Sequence, residues 1–166
     1  MVFDAPNASV TYAAGINDAR AVCGSFADAS QGNKTRSYVR DWTGSITVFD
    51  GPNASSSEAV SINDGGDVTG SWYGPDARGF VRDREGHLLV FDGPSQSGTY
   101  GLSMNDLGEI AGYVQGDHGF VRDSRGVFTV FDAPGASITH AASINDRGDI
   151  TGNLFAGKNR AFIRRP

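Results

Sequence analysis

The chain has 166 residues, enough for one domain with a sizeable core and too few for two domains of ordinary size. Fourteen Lys and Arg against nineteen Asp and Glu give a net charge of -5, with both signs spread along the chain. No nucleic-acid partner is expected, because phosphate binding needs a concentrated basic face. Twenty-three Gly and the lack of Ala/Glu/Lys/Leu-rich stretches argue against long helices.

From the N-terminus, the first element is Val-Phe-Asp at Val2, and it recurs at Val48, Val90 and Val130, in steps of 46, 42 and 40 residues. Fourteen residues after each copy comes Ile-Asn-Asp or Met-Asn-Asp, at Ile16, Ile62, Met104 and Ile144. The constant offset pushes the length variation elsewhere, into the Ala27 to Thr35 loop above all. A fixed period of this size signals a repeat architecture.

The second copy shows the elements in order. Ala59 to Asn63 reads as a small-residue strand, followed by the Asp64-Gly65-Gly66 turn and a returning strand from Asp67 to Trp72. A loop leads to a third strand from Arg78 to Asp83, a turn at Glu85-Gly86, and a fourth strand ending at Asp92. Gly-Pro or Ala-Pro then stops the ladder, since Pro lacks the N–H.

Four short strands in about 40 residues match one blade of a propeller. The expected fold is all-β: a single domain over 1–166, with four four-stranded repeats at about 5–50, 51–92, 93–132 and 133–166 forming a small β-propeller. Residues 1–4 supply the closing strand by pairing with the last repeat. Arg36 precedes Asp50 by 14, as Arg78 precedes Asp92 and His118 precedes Asp132. These are expected cross-strand ion pairs, and ring closure pairs Arg160 with Asp4.

The segment "THAASINDRGDITG" from Thr139 to Gly152, "DHGFV" from Asp117 to Val121 and "FDAPGAS" from Phe131 to Ser137 resemble the HAF repeat, a bacterial repeat described as extracellular. The resemblance spans essentially the whole chain. It implies an extracellular, propeller-like module and carries no general activity. The first copy departs from the pattern, with Ala19-Arg20-Ala21 in its turn and Cys23 where Thr69, Ala111 and Thr151 stand, so a different turn is expected there.

Residues repeated in every copy, such as Phe3, Phe49, Phe91 and Phe131, or Gly24, Gly70, Gly112 and Gly152, are expected to be structural. Positions that vary on a fixed scaffold point to function instead. The residue four before each Ile/Met-Asn-Asp is Tyr12, Glu58, Tyr100 or His140, just before the inner strand. A closed ring places these four around one mouth of the axial channel. There they offer a polar ligand two phenols, a carboxylate and an imidazole, and Glu58 and His140 are the groups acid/base catalysis would use. Trp72 and Tyr73 are additional ligand-binding candidates, suited to stacking on a planar or sugar ligand, with Trp42 a further unmatched aromatic.

Other motifs read as structure. Asn63 to Asp67 is a hydrogen-bonded turn in place of a calcium loop, which needs six to eight oxygens. The sequons at Asn7, Asn33 and Asn53 lie largely in repeat positions. A single cysteine, Cys23, allows no intramolecular disulfide and no Cys-based zinc cluster, and is expected to be buried. No cofactor fingerprint, P-loop, G-x-S-x-G or H-E-x-x-H is present. No apolar run reaches the roughly 20 residues of a membrane helix, and residues 1–10 read as no export signal. The expected function is a binding or interaction module for a carbohydrate, small polar molecule or protein, with no cofactor, metal or membrane partner, as a monomer or homodimer. A small enzyme at the axial mouth, or a fragment without independent function, are the alternatives.

Overall fold

The computed structural model describes residues 1–94 and 98–166. Strands β1 (Ala8–Ile16), β2 (Val22–Asp28), β3 (Lys34–Arg40) and β4 (Ile46–Phe49) form the first antiparallel sheet in sequence order. Strands β5 (Ser56–Ile62), β6 (Val68–Tyr73), β7 (Ala77–Arg82) and β8 (Leu88–Phe91) form the second. The third contains β9 (Thr99–Met104), β10 (Ile110–Val114), β11 (His118–Arg122) and β12 (Phe128–Phe131). The fourth contains β13 (Ile138–Ile144), β14 (Ile150–Phe155) and β15 (Asn159–Arg164). Sheets pack face to face in chain order, and their first strands β1, β5, β9 and β13 lie successively beside one another. The result is a propeller-like array with those strands at its inner edge.

The repeated phenylalanines hold the blades together. Phe49 meets Phe80 of the next blade edge to face at 5.7 Å, and Phe131 meets Phe162 at 6.1 Å. The guanidinium two residues after each such partner covers the same ring: Arg82 over Phe49, Arg122 over Phe91 and Arg164 over Phe131, at 5.1, 4.7 and 4.7 Å. Each phenylalanine is thus clasped by apolar area and a cation–π contact from the following blade.

A second interblade device runs along the axis. Asn17 donates its amide to the Asn63 carbonyl, Asn63 to Asn105 and Asn105 to Asn145, at 3.0, 3.3 and 3.0 Å. In parallel, the Asp18, Asp64 and Asp106 main-chain N–H groups donate to the carboxylates of Asp64, Asp106 and Asp146, at 2.8, 2.8 and 2.9 Å. The Ile/Met-Asn-Asp triplet therefore stitches neighbouring blades, besides forming the hairpin turn. Among the described residues, no group of three or more metal-ligating side chains is assembled.

Two expectations are corrected. The expected ring closure is not formed, because residues 1–5 adopt no strand and β15 pairs only with β14, which leaves the fourth sheet three-stranded. Phe3 instead packs on Tyr38 at 6.0 Å with Arg40 over its ring at 4.9 Å, repeating the clasp seen at the other junctions. The segment is held by the first blade, Asp4 is exposed there, and Arg160 pairs with no carboxylate among the described ion pairs. The first hairpin also keeps the turn of the other copies: the Arg20 N–H donates to the Asn17 carbonyl at 2.9 Å, as Gly66 does to Asn63 at 3.0 Å. Arg20 accepts a φ of 62°, where the other copies place Gly66, Gly108 and Gly148. The turn is imposed by the Asn17 side chain, whose oxygen accepts from Ala21 N–H at 2.8 Å.

The sequon asparagines also act as turn formers, with φ of 57°, 63° and 56° at Asn7, Asn33 and Asn53. Pro6-Asn7 and Pro52-Asn53 correspond to Pro134-Gly135, whose Gly135 has φ 71°. Pro followed by a residue of positive φ is the requirement of a type II turn.

Candidate functional site

The inner strands carry a bulge in every blade, with register shifts at Ala13/Gly15, Ala59/Ser61, Gly101/Ser103 and Ala141/Ser143. There the carbonyls of Tyr12, Glu58, Tyr100 and His140 press against Gly24, Gly70, Gly112 and Gly152 of the next strand, where any Cβ would collide with them. The repeated glycine thus seats the main chain of each variable residue.

Three of the four variable residues become part of one cluster. Tyr100 stacks on Tyr113, its cross-strand partner, with centroids 4.6 Å apart and planes 16° apart. Tyr113 stacks in turn on His140 of the next blade, at 3.8 Å and 17°. Tyr73 adjoins the other side of Tyr100 at 6.4 Å, tilted by 49°. The rings form a continuous ladder across the second, third and fourth blades, and all are half-buried.

Acidic groups hold both ends. Asp117 Oδ1 lies 2.8 Å from His140 Nε2, and the Asp117 carbonyl accepts the Thr139 N–H at 2.7 Å. Asp117 adopts φ 66° in the turn that follows the Val114–His118 pair, whereas in the second and fourth blades the ladder runs one pair further, to Tyr73–Ala77 and Phe155–Asn159. At the other end the Glu58 carboxylate lies beside the Tyr73 phenol. Burial pushes the Tyr73 phenol up to about 12, with Glu58 and the neighbouring tyrosines adding to the effect. Tyr73 is therefore a neutral donor across the ordinary pH range. The Tyr113 phenol is also raised, by burial first and then by Tyr100 and Asp117.

The remaining candidates lie elsewhere. Tyr12 is 63% exposed and no ring stacks on it, since Ser25 occupies the place that Tyr113 holds in the third blade. Trp72 is only 6% exposed, lodged against Gly51 and Gly74, and so offers no face for stacking. Its Nε1 is buried without a hydrogen-bond partner. Trp42 is exposed on the turn between β3 and β4.

The cross-strand pairs form at three of four places. Arg36 Nε lies 2.8 Å from Asp50, Arg78 Nε 2.6 Å from Asp92, and His118 Nδ1 2.8 Å from Asp132. Arg36 also bonds Asp28 at 3.2 Å. Tyr113 and Asp117 were not among the candidates. The signals for them were available: Tyr113 replaces Ser25, Ser71 and Asn153 at its repeat position, and the loop before His118 is the shortest of the four.

The fold and this cluster define an all-β, propeller-like module with a half-buried aromatic ladder at the inner edge of three blades. No family model matches the chain, and no curated protein matches its sequence. Solved structures do match. The chain is similar to a streptogramin B lyase, at 15% identity and a TM-score of 0.59, over 97% of this chain and 56% of that one. It is also similar to a catalytically inactive histidine-to-alanine variant of virginiamycin B lyase from Staphylococcus aureus with quinupristin, at 15% identity and a TM-score of 0.61, over 92% of this chain and 55% of that one. At such identity the likeness shows the fold alone, and the chain spans a little over half the length of each protein.

Proposed function

We propose that the chain is a non-catalytic binding module, built as one repeat domain of HAF type, that takes a carbohydrate or small polar molecule at the Tyr73, Tyr100, Tyr113 and His140 ladder. The stacking of Tyr113 on His140 across a blade junction at 3.8 Å carries this reading. Rings locked by their neighbours lose little freedom on binding, which favours affinity. Aromatic surface suits the apolar face of a sugar, while Glu58 and Asp117 accept hydrogen bonds from its hydroxyls. The test is titration of a panel of neutral mono- and oligosaccharides, followed through tyrosine and histidine side-chain NMR signals. Saturable shifts confined to the ladder and lost in Tyr113→Ala support the proposal. A panel without effect on these signals sinks it.

A second reading, a small enzyme using Glu58 or His140 as acid or base, is favoured by one observation. His140 has an orienting carboxylate at 2.8 Å, the arrangement that fixes a catalytic imidazole. The structural neighbours include lyases, one of them inactive after loss of a histidine. Incubation with quinupristin separates the readings: a binding module returns it with unchanged chromatographic retention, whereas an enzyme of the neighbours' kind converts it.

A further inference from the structure

The blade junction is built from the same parts three times, and the outermost blades carry its two unmatched halves. Ile62, Met104 and Ile144 are 8%, 6% and 7% exposed, yet Ile16, at the same repeat position of the first blade, is 69% exposed. On the fourth blade Thr151 is exposed, although its counterparts Cys23, Thr69 and Ala111 are all 0% exposed. Its neighbour Ile163 is 74% exposed. An apolar groove of about 300 Å³ lines the first surface, between Phe3, Gly15, Ile16 and Val22. A groove of about 400 Å³ lines the second, including Ser143, Ile150, Thr151 and Ile163.

The hydrogen-bond relay ends in the same complementary way. Each internal junction takes an Asn amide and an Asp N–H from one blade and gives them a carbonyl and a carboxylate on the next. The second and third junctions add a reverse bond, from Met104 N–H to Ser61 Oγ at 3.1 Å and from Ile144 N–H to Ser103 Oγ at 3.3 Å. By this rule the fourth blade presents the Asn145 amide and Asp146 N–H as donors and Ser143 Oγ as acceptor. The first blade presents the Asn17 carbonyl and Asp18 carboxylate as acceptors and the Ile16 N–H as donor. Every group on one surface has its partner on the other, in the same order.

We propose that the fourth-blade face is a docking surface for the first-blade face of a second copy of this chain, joined head to tail through a fourth repetition of the blade junction. Two different surfaces meet, so the contact is heterologous and either closes a ring of copies or continues the array. Continuity with the three existing junctions favours this occupant: a second copy meets the Asn, Asp, Ser and Ile positions together, and burial of Ile16 and Ile163 removes apolar surface from water.

The 166-residue chain is to be examined by light scattering over a dilution series up to roughly 100 μM, a range that detects interfaces of comparable or tighter Kd. A mass of at least twice 17.5 kDa is expected. Ile16→Lys and Ile163→Lys, both exposed in the single chain, should each fold normally by circular dichroism and remain monomeric. Mixing the two should restore a dimer, because one intact head then meets one intact tail. Asp18→Ala should weaken assembly about tenfold or more by removing an ionised acceptor. A monomeric parent chain at every concentration overturns the proposal. So does continued self-association of either lysine variant, which would indicate like surfaces meeting, or a mixture that stays monomeric.

Discussion

Asp117 reaches across the junction of the third and fourth blades to place a carboxylate oxygen 2.8 Å from His140 Nε2, from a backbone conformation with φ of 66°. Main-chain strain and side-chain contact can be separated there. Asp117→Gly removes the carboxylate and relieves the backbone, whereas Asp117→Ala removes the carboxylate and keeps the strain. Chemical denaturation should rank the alanine variant about 1 kcal/mol below the glycine variant. Both should lose the same saccharide response if the carboxylate serves the ligand. Equal stabilities would show that the left-handed turn carries no cost.

Arg20 occupies a left-handed position that glycine fills in the other three copies. Arg20→Gly should raise stability by about 0.5–1 kcal/mol, the steric relief exceeding the extra freedom of the unfolded chain. A lowered denaturation midpoint would mean that the arginine side chain makes a larger contribution than its backbone costs.

Gly112 and Gly135 predict contrasting responses to alanine. A Cβ at Gly112 strikes the Tyr100 carbonyl and comes within 2.9 Å of Phe120, while one at Gly135 meets nothing within 4 Å and feels only its φ of 71°. Gly112→Ala should cost on the order of 3 kcal/mol and disturb the Tyr100–Tyr113 stack. Gly135→Ala should cost about 1 kcal/mol and leave the aromatic signals in place. Denaturation and tyrosine NMR together distinguish the two outcomes.

Cys23 gives the chain an alkaline limit. Burial pushes its thiol from 9.0 up to about 12, so the unfolded chain releases this proton first as pH rises. The thiol's contribution is fully present below about pH 9 and is lost progressively towards pH 12, a span worth on the order of 4 kcal/mol. Cys23→Ala should flatten the fall in stability over that window and cost little at pH 7, since Ala111 fills the equivalent buried place. A thiol reagent should label native Cys23 only at the rate of opening, as its side chain is 0% exposed. Rapid native labelling would contradict this account.

The period, the hairpins and the buried phenylalanines were legible because each follows from local turn chemistry or from the need of every copy to bury the same face. The variable inner-strand position was legible too, as a break in a regular pattern. Its partners were not: Tyr113 lies on a different strand from Tyr100, and its contact with His140 depends on how one blade faces the next. The role of Ile/Met-Asn-Asp in joining blades was hidden for the same reason, because a single copy displays only its turn. Closure failed as an inference because Arg160 and Asp4 only occupy the repeat positions of the other pairs, while Phe3 has an apolar clasp available on the first blade.

The collision that reserves Gly24, Gly70, Gly112 and Gly152 involves the main chain of the opposing residue and never its side chain. The glycine seat therefore reads the backbone at Tyr12, Glu58, Tyr100 and His140 and not what projects from it. A phenol, a carboxylate and an imidazole already occupy that seat within one molecule. The scaffold can accordingly exchange its recognition chemistry one blade at a time, by single substitutions that leave the glycine seat and the Asn and Asp relay between blades in place.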